Sequence, residues 1–209
     1  MGQHPGRETA RPASPCGEIV PALDDLLADL TSGDEARAET AVPLLAALGE
    51  TIIPSLRDLL DSTDADIRWW ATRSLASLPS PDAGLLLSSL SDAAPEVRQC
   101  AALGLCSHPS EAALPLLVRG LSDADGILAD LSARALVAVG KPAVESLLEV
   151  LKDAPQSARI HAMHALSEIA DPRAIRPMIE SMSENSAMIQ YWAEAGLERM
   201  GVNMVYMKP

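Results

Sequence analysis

No phenylalanine occurs in the 209 residues, and aromatic side chains make up only 2% of them. A core without large rings must be filled by Leu, Ala, Val and Ile. That filling suits closely packed helices and argues against a β-sandwich, whose strands favour β-branched and aromatic residues. Cations are scarce beside anions: 13 Arg and 3 Lys stand among 29 acids, for a formal net charge of −13. Phosphate backbones are gripped by basic stripes that displace counterions, so nucleic acid is not an expected partner. The same repulsion disfavours an anionic membrane surface. Cysteine is limited to Cys16, Cys100 and Cys106. An odd number without a Cys-x-x-Cys excludes a disulfide framework and a zinc site, and suits a reducing compartment. No apolar stretch approaches a membrane-spanning length. Residues 1–17 lack the apolar segment of a secretory signal and read, from their Pro and Gly content, as a disordered arm. A soluble, cytoplasmic protein is expected.

What the chain does have is a period. Positions Arg37, Arg68, Arg98, Ala129, Arg159 and Gln190 recur at gaps of 31, 30, 31, 30 and 31 residues. Periods of this size mark stacked supersecondary units rather than one closed enzyme core. Six helix pairs are predicted, over 18–49, 50–80, 81–109, 110–140, 141–171 and 172–201, followed by a tail at 202–209. Leu60, Leu90, Leu121, Leu151 and Met182 each lie eight residues before the Arg-type position. With Leu56, Leu86, Leu117, Leu147 and Met178 they form one apolar stripe per first helix. Pro54, Pro115, Pro142 and Pro172 fall in first turns, where a missing N–H costs little. Turn formers and helix caps such as Asp61-Ser62, Ser91-Asp92 and Ser122-Asp123 then break the chain. In the second helix of the third pair, Val97, Ala101, Gly104 and Leu105 share a face, small enough for neighbouring helices to approach closely. Gly49, Gly140 and Gly201 end second helices, as glycine commonly does.

These features resemble the HEAT repeat family, in the short variety found in phycobilin lyase subunits and deoxyhypusine hydroxylase. The resemblance covers about residues 18–201. It rests on the Arg ladder (Arg37, Arg68, Arg98, Arg159), on Ile67, Val97 and Ile189 beside it, on Asp92, Asp123 and Asp153 before it, and on Ala-x-x-Leu steps such as Ala162 to Ala165-Leu166. It implies an all-α, right-handed α-solenoid of about six two-helix repeats, with first helices on the convex side and second helices on the concave side. A structural role is expected for the Asp and Arg positions: Asp to cap the second helix, Arg to reach acids or carbonyls of the adjacent repeat.

The hydroxylase of that family, as the resemblance implies, binds two irons through His-Glu pairs in the two positions after the Arg. Here those positions read Ala38-Glu39, Trp69-Trp70, Gln99-Cys100, Asp130-Leu131, Ile160-His161 and Tyr191-Trp192. None is His-Glu, so a di-iron site is excluded, and no metal or other cofactor is expected. Instead, four of the five aromatic residues occupy these slots. The inferred concave surface carries Trp69, Trp70, Arg73, Cys100, Leu103, Asp130, Arg134, Ile160, His161, His164, Tyr191 and Trp192. Trp, Tyr and Arg are enriched at binding hot spots. The competing reading is that one Trp of each pair merely fills space between helices. At ~8–10 Å per packed helix layer the two aromatic clusters lie about 30–40 Å apart, which suits a protein or extended peptide rather than a small molecule. His161 and His164 sit three residues apart on one helix, but no third ligand stands in register. No nucleophile elbow or phosphate loop occurs.

Seven of the eight methionines lie between Met163 and Met207. They read as closure of the last repeat's core, or as a Met-rich homodimer contact at the C-terminal end. The expected function is a non-enzymatic scaffold that binds a protein or extended peptide on its concave face. The alternative is a lyase-type subunit acting on a chromoprotein, with aromatic and Arg groups against a tetrapyrrole. Nucleic-acid repair, as in basic HEAT-like glycosylases, is opposed by the charge.

Overall fold

The computed structural model describes residues 22–202, and among them all regular structure is helical. Twelve α-helices form six antiparallel pairs: α1 (Leu23–Leu30) with α2 (Glu35–Ala47), α3 (Ile53–Leu60) with α4 (Ala65–Ala76), α5 (Ala83–Ser89) with α6 (Pro95–Ser107), α7 (Leu114–Gly120) with α8 (Gly126–Val139), α9 (Val144–Asp153) with α10 (Gln156–Ile169), and α11 (Ile175–Ser181) with α12 (Ala187–Arg199). The protein is an all-α solenoid. The arm expected at 1–17 lies outside the described residues. So do tail residues Met204, Tyr206 and Met207, and with them much of the suggested homodimer contact.

The period becomes a burial ruler. Counting from the Arg-type position, the residue twelve before it is fully buried in the second to sixth repeats: Leu56, Leu86, Leu117, Leu147 and Met178. So are the residues three after it (Ala71, Ala101, Ser132, Ala162, Ala193) and seven after it (Leu75, Leu105, Leu136, Leu166, Leu197). One long side chain from each first helix thus meets one small and one long side chain from its second helix. The small residues let second helices stack at close range. At Gly104 an added Cβ would stand 2.8 Å from the Ala76 Cβ, so α6 rides directly on α4.

The first repeat obeys the same ruler only when its Arg-type position is moved from 37 to 38. Its buried residues Leu26, Ala41 and Leu45 have the right spacing from Ala38, which is itself buried. Arg37 is therefore no member of the ladder. It is exposed and pairs with Asp29 of its own repeat. This corrects the register read from the arginines alone, because one Arg beside the true slot imitates it.

Consecutive second helices pack against one another along the whole stack, whereas consecutive first helices touch far less. The second helices therefore form the more tightly packed layer of the stack, called the inner layer below.

Three of the five junctions carry a rung. Arg68 donates from Nε and Nη2 to the two carboxylate oxygens of Asp92 in the next repeat, both at 2.8 Å, and from Nη1 to the Ser62 carbonyl of its own turn at 2.9 Å. Arg98 repeats the arrangement with the Asp92 and Ala93 carbonyls and, at 4.0 Å, the Asp123 carboxylate. Arg159 pairs with Glu184. Gln190 keeps the local half of the function, donating to the carbonyls of Met182 and Glu184. The first junction has Ala38 and Ser62 in the two slots, and the fourth has Ala129 opposite Asp153, so neither forms a rung. These are also the two junctions with the least contact between second helices.

The expected capping by the ladder acids is modified. The side chains that cap second helices belong to Asp34, Asp64, Asp125 and Ser186. Asp92 and Asp123 stand earlier and instead accept the N–H of Ala94 and Asp125, tightening the turn before the helix.

Two stability predictions follow from this geometry. Charge-assisted, bidentate and largely buried hydrogen bonds are the strong ones, so Arg68→Ala should cost about 2–3 kcal/mol in urea unfolding. Arg37→Ala, which removes an exposed pair, should cost less than about 0.5–1 kcal/mol. Equal losses from the two would refute the ladder as drawn. Separately, α10 ends on Ala170 at φ +53°, where α8 ends on Gly140 at φ +76°. An L side chain is strained there, so Ala170→Gly should stabilise by about 0.5–1 kcal/mol despite glycine's greater freedom when unfolded. A lower melting temperature for the glycine variant would contradict this.

Candidate functional site

On the inner layer the helical repeat leaves one exposed stripe per second helix. Among the described residues the large apolar side chains that remain strongly exposed are Leu44, Leu103, Ile127, Met188 and Tyr191. Every one lies on a second helix: α2, α6, α8 and, twice, α12. The first helices expose no apolar side chain of comparable size among the described residues.

The aromatics form two clusters. In the second repeat Trp69 and Trp70 meet edge to face, centroids 4.7 Å apart. The Arg73 guanidinium lies 5.8 Å from the Trp69 ring centre. It also donates to both oxygens of Glu39 on α2, at 2.6 and 3.1 Å. That hydrogen-bonded partner holds the Glu39 carboxyl below its ordinary range. In the sixth repeat Trp192 stacks on His164 of α10 at 4.0 Å and meets Tyr191 at 4.9 Å in a T-shape. Trp70, Trp192 and Ile160 pack against the hydrophobic core, while Tyr191 is 59% exposed. Trp70 and Trp192 thus seal the helix layer, Tyr191 faces outward, and Trp69 stays partly buried beside Arg73. The packing reading accounts for Trp70 and Trp192.

Between the clusters the surface is milder. Asp130 and Arg134 are exposed on α8. Cys100 and Cys106 are free and half-buried. Burial pushes the Cys100 thiol up to about 11 and the Cys106 thiol above its ordinary value, the direction that disfavours the thiolate. His161 is held below the ordinary imidazole value by burial, with Asp130 opposing and His164 adding to the shift. No group of three or more His, Cys, Asp or Glu side chains converges on a metal-sized site among the described residues. Nor is any described helix long and apolar enough to cross a membrane.

Sequence reasoning found the aromatic slots and the later helix position of Arg73, Leu103 and Arg134, but missed Leu44, Ile127 and Met188, which lie outside them. It also missed the Arg73–Glu39 tie across the first junction. Tracking the buried residues Leu26, Ala41 and Leu45, rather than the arginines, would have set the first repeat's register and placed Glu39 correctly.

A stack of antiparallel helix pairs with a tight inner layer and inter-repeat rungs defines an α-solenoid. Comparison with known proteins gives the finer assignment. The family described as HEAT repeats matches residues 83–159. HEAT repeats are thus recognised over the middle of the chain, in the third to fifth helix pairs. No curated protein matches it. Among solved structures it is similar to a chain of the complex of CpcE and CpcF of phycocyanin lyase from Nostoc sp., at 25% identity and a TM-score of 0.55, over 68% of this chain and 96% of that one. It is also similar to a designed armadillo repeat protein in complex with the peptide (KR)4, at 20% identity and a TM-score of 0.53, over 86% of this chain and 100% of the other. Human deoxyhypusine hydroxylase shares the fold at 17% identity and a TM-score of 0.51, over 85% of this chain and 73% of that chain.

The half-buried His161 yields a pH prediction. Its folded value lies below the unfolded one, so the contribution of the neutral ring is complete above about 6.5 and is lost as pH falls through the lower folded value. Unfolding midpoints measured across this window should decline with acid in the wild type and decline less in His161→Gln. Parallel profiles would show that His161 is not the group responsible.

Proposed function

We propose that this protein is a non-enzymatic scaffold that holds a protein or an extended peptide segment along its second-helix face. The observation that carries the reading is the confinement of Leu44, Leu103, Ile127, Met188 and Tyr191 to the inner layer. The aromatic clusters on α4 and α12 add partly buried Trp69 and outward-facing Tyr191, with Arg73, Arg134, His161 and His164 on the same layer. Solenoids present long shallow surfaces of this kind to extended partners. Support also comes from the designed armadillo relative, which binds a peptide, and from the lyase subunits, which form a complex with each other. The two half-buried free thiols suit a reducing, cytoplasmic setting.

The similarity to the phycocyanin lyase complex favours one second reading, a lyase-type subunit acting on a chromoprotein. A bilin added with a phycobiliprotein in the presence of this chain would then change visible absorbance; an unchanged spectrum removes that reading.

The scaffold is tested on the exposed side chains, which can be altered without opening the core. Proteins captured from the native host by wild type and by Leu103→Ser/Tyr191→Ser are quantified by mass spectrometry. Specific partners of the wild type should be retained about tenfold less by the variant. An unchanged set at unchanged yield would sink the inner-layer reading.

A further inference from the structure

The turns between first and second helices form a ridge along one edge of the stack, and three cavities open on it. The one at the third junction, of about 420 Å³, contains Arg98 and Arg119 with Asp92 and Asp123. The one at the fifth, of about 220 Å³, contains Arg159 and Glu184. The protein supplies its own cation to both. The cavity at the first junction, of about 390 Å³, differs: Glu35, Asp64, Asp66, Trp69 and Trp70 line it, and no basic side chain does. This is the junction whose ladder slots are Ala38 and Ser62 and whose nearby Arg37 turns away to Asp29.

We propose that this cavity receives an arginine side chain of the partner, held by its carboxylates and indoles. The proposal rests on reading the inner layer as a partner-binding surface, since Trp69 and Trp70 belong to both. Its chemistry is independent of that reading. Arginine elsewhere on the ridge lies between turn carbonyls and a carboxylate of the next repeat, as Arg68 does. Here three carboxylates and two indoles offer a guanidinium the same charge and a stacking surface. Trp69 already takes one guanidinium, that of Arg73, near its ring. The N-termini of α2 and α4 bring roughly +0.5 each, which three carboxylates outweigh. Asp64 also accepts the Asp66 N–H, which leaves the first turn of α4 one fewer free donor for an anion. The chain's charge of −13 draws a basic segment toward the site at long range.

The three tryptophans give a site-resolved test on the full chain. The probes are an acetylated, amidated (Gly-Arg)4 peptide and its analogue with citrulline at each arginine, which keeps the shape and removes the charge. Titration is followed by the indole N–H signals of Trp69, Trp70 and Trp192. The arginine peptide should shift Trp69 and Trp70 and leave Trp192 in place, and the citrulline peptide should shift none. Glu35→Gln/Asp66→Asn should weaken binding by about tenfold or more. Glu111→Gln/Asp153→Asn, which removes equal charge far from the cavity, should leave affinity unchanged. Equal weakening by the two double variants would overturn the proposal in favour of diffuse charge attraction. An equal response to citrulline, or a silent Trp69–Trp70 pair, would also overturn it. Those results would leave the scaffold reading standing, because Leu103→Ser/Tyr191→Ser tests that at other residues.

Discussion

Close approach between consecutive second helices is the constraint on which the rest depends. Ala71, Ala101, Ala162 and Ala193 occupy the same step of the repeat, all fully buried. Glycine goes further where a methyl would collide: at Gly196 an added Cβ would meet the Met178 side chain at 2.8 Å and the Ser167 Cα at 3.0 Å. Small residues on one side of a helix leave its other side free for large ones. The same economy that packs the inner layer therefore decides which positions face outward, and the outward positions have collected Tyr191 and the exposed aliphatics.

Upon this packing the rungs add direction. Hydrophobic stacking alone allows neighbouring repeats to slide, whereas a guanidinium fixed by turn carbonyls and a carboxylate specifies one register. Arg68 and Asp92 do this most completely, and the hydrogen bonds between them hold the Asp92 carboxyl below its ordinary range against the opposing effect of burial. Glu39 and Arg73 perform a similar service on the inner surface, where the tie also steadies the ring of Trp69.

Much of this was legible in the sequence, for a physical reason. A solenoid repeats its contacts, so each period samples the same packing problem, and the Leu and Ala spacing states the answer several times. The helix pairs, their turns and the stacked aromatic slots emerge from that redundancy. Where a repeat departs from the others the redundancy fails. Arg37 stands one residue from its slot and only the burial of Leu26, Ala41 and Leu45 reveals the shift. The exposure of Ile127 and Met188 depends on where each helix begins, and helix beginnings are set by caps such as Asp125 and Ser186 rather than by the period. Which ring of a pair turns inward is likewise decided by the neighbouring repeat, and not by the pair's own spacing.

The absence of a rung between the fourth and fifth repeats divides the molecule mechanically. Repeats two to four are riveted by Arg68 and Arg98, and repeats five and six by Arg159, and among the described residues no ion pair joins the two blocks. Bending strain collects in the softest joint of a chain of blocks. Trp69 and Tyr191 stand on opposite sides of that joint, so the angle held there sets the span between them.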